Sequence, residues 1–160
     1  MTRTPMMTAT LLGLAGTIPF IALLAIVATR PLDAPVATIS MIDYGAVILS
    51  FLGAVHWGFA LEPGGMVRDA RTNDQRLVFG VLPALMGFVA LLAVSPLGAP
   101  RLALAVLIAG FFATILAETV GKGRDLVPAK YLVLRWVVSL VVLVVLVATL
   151  FITLVGMRQA

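Results

Sequence analysis

Five apolar runs, each long enough to cross a bilayer, decide what this chain can fold into: residues 9–29, 42–61, 77–94, 102–118 and 132–157. A hydrocarbon core ~30 Å thick takes about 20 helical residues, within a range of about 17–25. The first run, Ala9 to Thr29, carries no charge. It is longer than the about 7–15 residues of a signal-peptide core, and AIVATR offers no A-x-A cleavage site, so it reads as a retained helix. The fifth, Leu132 to Met157, is rich in Val and Leu, long, and expected to tilt. All five runs are continuous rather than alternating, which argues against a membrane β-barrel. In lipid each backbone donor must be satisfied inside its own helix. The pattern therefore predicts an all-α integral membrane bundle of five transmembrane helices, one domain over residues 1–160.

The balance of residue types agrees. With 62% hydrophobic and 11% charged residues, a soluble globule of this size would have a greasy surface. The absence of cysteine removes disulfides, thiolate metal sites and a cysteine nucleophile. One histidine is too few for a zinc site that takes several imidazoles from one chain. No metal and no cofactor are expected. The net charge of +4 arises from cations spread over loops and termini, without a basic patch interleaved with aromatics, so nucleic acid is not expected as a partner. Those cations orient the bundle instead. Arg3, then Arg68, Arg71 and Arg76, then Lys122, Arg124, Lys130 and Arg135 lie on one side; Arg30, Arg101 and Arg158 lie on the other. This asymmetry predicts a cytoplasmic N-terminus and a periplasmic C-terminus in a bacterial inner membrane, or the matrix equivalent in a mitochondrion.

Short connections join the runs: 30–40 and 95–101 with paired prolines, 62–76 with Pro-Gly-Gly and mixed charge, and 119–130 with two glycines and a proline. None has room for a soluble domain. GTIP (16–19) and GVLP (80–83), with PLDAP (31–35) and PLGAP (96–100), form a weak parallel echo between the first and third runs. Pro19 and Pro83 each remove a backbone bond and are expected to bend their helices, which can open space between neighbours.

The second run is the most informative. Ala46, Ser50, Ala54 and Gly58 recur every four residues, a stripe of small side chains that lets another helix approach closely. Gly53 and Trp57 sit beside it, and His56 falls on roughly the opposite face, so this helix is expected to be central. A titratable group at the depth of His56 should face protein or water rather than lipid. It fits either a hydrogen-bonded packing histidine or a proton relay. Glu118 and Arg135 lie near the same membrane face across the 119–130 connection, where an ion pair would spare Arg135 from lipid. Alternatively His56, Glu62, Arg76, Glu118 and Arg135 line a polar cavity. Asp43 and Tyr44, at the outer end, suit a helix N-terminus and the interfacial aromatic belt. No P-loop, G-x-S-x-G or H-E-x-x-H motif is present.

LGLAGTIPF (12–20), YGAVILSFLGAVHWGFAL (44–61), LPAL (82–85) and YLVLRWVVS (131–139) resemble the domain-of-unknown-function family 3429. Its animal members are called transmembrane protein 69 and are mitochondrial. The His-Trp-Gly of the second run is the most specific element. The chain departs from the family pattern in two places: Glu118 stands where an Asp is expected, and Lys130 precedes Tyr131 where an aromatic pair is expected. The resemblance implies a five-helix protein linked to energy-converting membranes and brings no activity with it. The expectation for function is thus a non-enzymatic accessory or assembly component of a membrane complex, such as a respiratory one, or a homo-oligomer. The alternatives are a small transporter or proton pathway built on His56, Glu118 and Arg135, and a membrane enzyme acting on lipid or quinone.

Overall fold

The structure is a computed structural model that describes residues 5–61, 70–121 and 129–156. Of the described residues 92% are helical and none is in a strand. Helix order is α1 (Pro5–Ala15), α2 (Ile18–Thr29), α3 (Ala34–Leu61), α4 (Ala70–Val94), α5 (Pro100–Gly121) and α6 (Ala129–Gly156). Taken with α1 and α2 as one crossing (Met6–Thr29), five segments are long and apolar enough to span a membrane. This is the five-span bundle that the apolar runs imply.

The first run is not one helix. It breaks at Gly16–Thr17, and Pro19, which has no N–H, stands in the first turn of the new helix, where none is needed. The Thr17 amide bonds back to Leu14 O at 3.0 Å, a tightened turn. The Gly16 carbonyl is taken up by Tyr44 Oη, which donates to it at 2.9 Å. Tyr44 is therefore no free-standing belt residue: it secures the break and packs its ring on Phe20 at 5.0 Å. Pro83, in the echoing GVLP, leaves α4 continuous.

The helices also run further into the connections than hydropathy alone suggests. α3 begins at Ala34 rather than 42, since Pro35 is tolerated in a first turn, and α5 begins at Pro100 for the same reason. α4 begins at Ala70, α5 ends at Gly121 and α6 begins at Ala129, because charged residues extend a helix past the hydrocarbon without leaving it. Asp43, placed by sequence near a helix start, lies well inside α3 and is exposed.

α3 touches α2, α4 and α5, and α5 touches α3, α4 and α6, while α6 closes the bundle against α2. The central position expected for the second run is thus that of α3. At the shared centre Phe20, Met41, Leu49, Leu107, Phe111 and Leu146 are almost wholly buried. Lipid tails are as apolar as these side chains, so close packing rather than water exclusion holds the helices together. Small residues make that packing possible. A Cβ on Gly53 would collide with the Gly80 backbone oxygen, one on Gly87 would lie 2.9 Å from Ala46 O, and one on Gly110 would lie 2.6 Å from Leu49 Cδ2. The α3 seam against α4 therefore follows Ala46, Ser50, Gly53 and Trp57. The four-residue stripe departs from it: Ala54 and Gly58 are exposed, and a Cβ on Gly58 would meet nothing within 4 Å.

Candidate functional site

The helix ends next to residues 62–69 and 122–128 carry the buried charge of the molecule. His56 on α3, Glu118 on α5 and Arg135 on α6 converge there, at 6%, 2% and 4% exposure. Each stands within two turns of the end of its helix, so three elements deliver one polar residue apiece to the same depth. Arg135 Nε donates to Glu118 Oε2 at 2.8 Å, and Nη2 donates to Oε1 at 2.5 Å, a fork-to-carboxylate pair. His56 Nε2 lies 3.2 Å from the same Oε1. An ionised Glu118 only accepts, so Nε2 carries the proton in this contact.

Arg135 Nη1 is buried and has no hydrogen-bond partner among the described residues. The guanidinium sits 5.8 Å from the Tyr131 ring centroid, a cation–π contact that offsets part of its desolvation. Tyr131 meets Phe59 edge-to-face at 5.6 Å, and Phe59 meets His56 at 6.3 Å. Aromatic rings thus pack around the charges on the α3 and α6 side.

Arg76 on α4 is fully buried. Its Nη1 donates to Asn73 Oδ1 at 3.0 Å and to Phe59 O at 3.4 Å. From sequence Arg76 falls at the end of the 62–76 connection; α4 in fact starts nearly two turns before residue 77, which puts Arg76 inside the bundle. Trp57 lies at the α3–α4 contact, where Nε1 donates to Leu77 O at 3.2 Å and the ring covers Gly80. Glu62 lies outside the described residues, as do Arg3, Arg68, Lys122, Arg124 and Arg158 of the charge tally.

A cavity of about 270 Å³ borders the cluster between α3, α4 and α5. His56, Arg76 and Glu118 line it together with Phe79, Leu82, Pro83, Met86, Ala113, Thr114 and Ala117. The Thr114 hydroxyl is turned back to Gly110 O at 2.7 Å, so the wall of α5 above Glu118 offers the cavity little polarity. Arg135 is on the other side of Glu118 and does not line it. Of the residues in the polar-cavity alternative, His56, Arg76 and Glu118 line the space, Arg135 does not and Glu62 lies outside the described residues; Glu118 with Arg135 forms the ion pair of the other alternative. The spacing Ala113–Ala117 beside Thr114–Glu118 marks the small face of α5 that leaves room for the cavity, and Pro83 supplies the opposite wall. Among the described residues no group of three or more His, Asp or Glu side chains could hold a metal ion.

The sequence pattern of the family described as "Protein of unknown function (DUF3429)" matches residues 5–151. A relative from Xenopus tropicalis, "Transmembrane protein 69", is 38% identical over 81 residues, 51% of this chain and 31% of that protein. The chain thus matches about a third of the relative's length. No solved structure matches. A pattern running from α1 to the last turns of α6 covers both halves of the buried ion pair as well as the His-Trp-Gly of α3. The chain is a multi-pass helical membrane protein that belongs to the DUF3429 family.

Proposed function

We propose that the protein is a non-enzymatic accessory or assembly component of a larger complex in a bacterial inner membrane, with its N-terminus cytoplasmic. The observation that carries this reading is the engagement of Glu118 on both sides, by Arg135 and by His56. A carboxylate held this way ties α3, α5 and α6 together and is not available as a general acid or base. The charge asymmetry of the loops supports the orientation. Purification in mild detergent followed by mass spectrometry tests it. A stoichiometric set of larger membrane proteins is expected to co-purify, and a chain that elutes alone overturns the reading.

A second reading, a small carrier, is favoured by the contact of His56 and Glu118 with the cavity. A carrier is stable without partners and is further stabilised by its solute. The same purification, followed by thermal unfolding with added solutes, separates the two.

A further inference from the structure

The face of α3 turned away from the bundle carries a charge. Val36, Asp43, Val47, Phe51, Ala54 and Gly58 are all exposed, and at about 100° per residue they fall within an arc of about 80°. α2, α4 and α5 pack on the other sides of α3 and leave this arc uncovered. Val47 and Phe51 are what a lipid-facing surface requires. Asp43 is not, and no described residue pairs with its carboxylate or donates to it.

The depth of Asp43 follows from the register of α3 against α4. Gly53 lies against Gly80 and Ala46 against Gly87, so the two helices run antiparallel and Asp43 comes level with Ala90. Ala90 is wholly buried and stands four residues, about 6 Å, before the last residue of α4. Measured from the other end, Asp43 to Leu61 spans about 27 Å along α3, less than a ~30 Å hydrocarbon core. The carboxylate therefore lies below the headgroups, where a charge without a counter-ion is costly and rare.

Whatever covers this face must bring a positive charge to that level. A second copy joined through the same face by a twofold axis along the membrane normal would set one Asp43 against the other, and like charges repel. Toward Leu61 the face narrows to Ala54 and Gly58, and a Cβ on Gly58 would meet nothing within 4 Å. Small side chains there let a further helix come close. We propose, on the footing of the accessory reading, that this face of α3 docks a transmembrane helix of another protein, one that carries Lys or Arg level with Asp43. The basic residue pairs with Asp43, and the backbone of the docked helix lies along Ala54 and Gly58. A carboxylate that burdens the free protein thereby stabilises the complex.

The test places the photo-crosslinker benzoylphenylalanine at Phe51 or at Val47 of the full chain in the membranes of its native host, with Phe151 on α6, also exposed, as the control position. Phe51 and Val47 are expected to give an adduct with the same protein, and the sequenced adduct peptide to be a transmembrane helix with Lys or Arg at the level of Asp43. Phe151 should not give that adduct. Asp43→Lys should reduce it about tenfold or more, as like charges in contact do, and Asp43→Glu should keep it. Exchanging the basic residue of the docked helix for Asp should restore the adduct of Asp43→Lys. Asp43→Leu should leave the unfolding temperature of the purified protein unchanged or raised, because the free protein gains nothing from the charge. No adduct from Phe51, an adduct of twice the chain's own mass, a docked helix without a cation at that level, or an adduct indifferent to Asp43→Lys overturns the proposal. Larger proteins that co-purify but crosslink from Phe151 alone overturn this contact and leave the accessory reading standing, whereas a chain that elutes alone overturns both.

Discussion

Glu118 is the residue on which most depends. It accepts from Arg135 and faces His56, at 2% exposure, so removing either half of the Glu118–Arg135 pair leaves charge uncompensated in a dry place. Glu118→Gln and Arg135→Gln should each cost about 3–5 kcal/mol, the usual loss on breaking a buried pair. The double variant should cost less than the sum, because no unpaired ion remains. Thermal unfolding of all four proteins in one detergent measures the coupling, and strict additivity would mean that the side chains do not act on each other. Tyr44→Phe is a separate test at the same scale. It strips the partly buried Gly16 carbonyl of its donor, and a cost of about 1 kcal/mol is expected from the lost hydrogen bond. The Glu118–Arg135 pair was legible in the sequence because a short connection returns both residues to one membrane face. The arrival of His56 at the same carboxylate was not, since it depends on the rotation of α3 about its axis.

Between elements, the seam of α3 against α4 shows how a periodic reading can have the right composition and the wrong phase. A helix turns about 100° per residue, so steps of four drift by roughly 40° each and carry Gly58 about 120° away from Ala46. A step of seven drifts by only about 20° in the other sense, which is why Ala46 and Gly53 stay in line with α4 and Gly58 does not. Gly53→Leu is expected to force α3 away from the Gly80 backbone at a cost of about 1–3 kcal/mol or more, as overpacking does. Gly58→Leu, with open space around it, should change unfolding by no more than about 0.5 kcal/mol. Equal effects of the two substitutions would put the seam elsewhere. Helix ends were the other weak point of the sequence. Hydropathy locates the part of a helix that lies in hydrocarbon, and Arg76, one and a half turns inside α4, belongs to a stretch that hydropathy assigns to a loop.

Taken whole, the molecule is a bundle whose number of crossings could be read directly, because each run length matches the bilayer and nothing else. The uneven distribution of Lys and Arg supports the proposed orientation. A reporter joined at Gln159 is therefore expected to read periplasmic, and one placed in the 62–69 connection cytoplasmic; a cytoplasmic signal at Gln159 would reverse the topology. The cavity was beyond reach of sequence, because it arises where Ala113 and Ala117 on one helix happen to face Pro83 on another.

The chain enters the membrane from its N-terminus, and that order matters for a pair whose halves sit on α5 and α6. During synthesis Glu118 is inserted and has met His56 while Arg135 is still to come. A nascent chain halted after Gly121 holds that carboxylate without Arg135, the arginine that forks onto it, and α6, if it lodged elsewhere, would carry an arginine into lipid at a cost of up to about 2.5–3.5 kcal/mol. Completion of the last helix is thus the event that closes the Glu118–Arg135 pair. Cells that degrade membrane proteins bearing unpaired intramembrane charge would recognise a product that stops between Glu118 and Arg135 as unfinished.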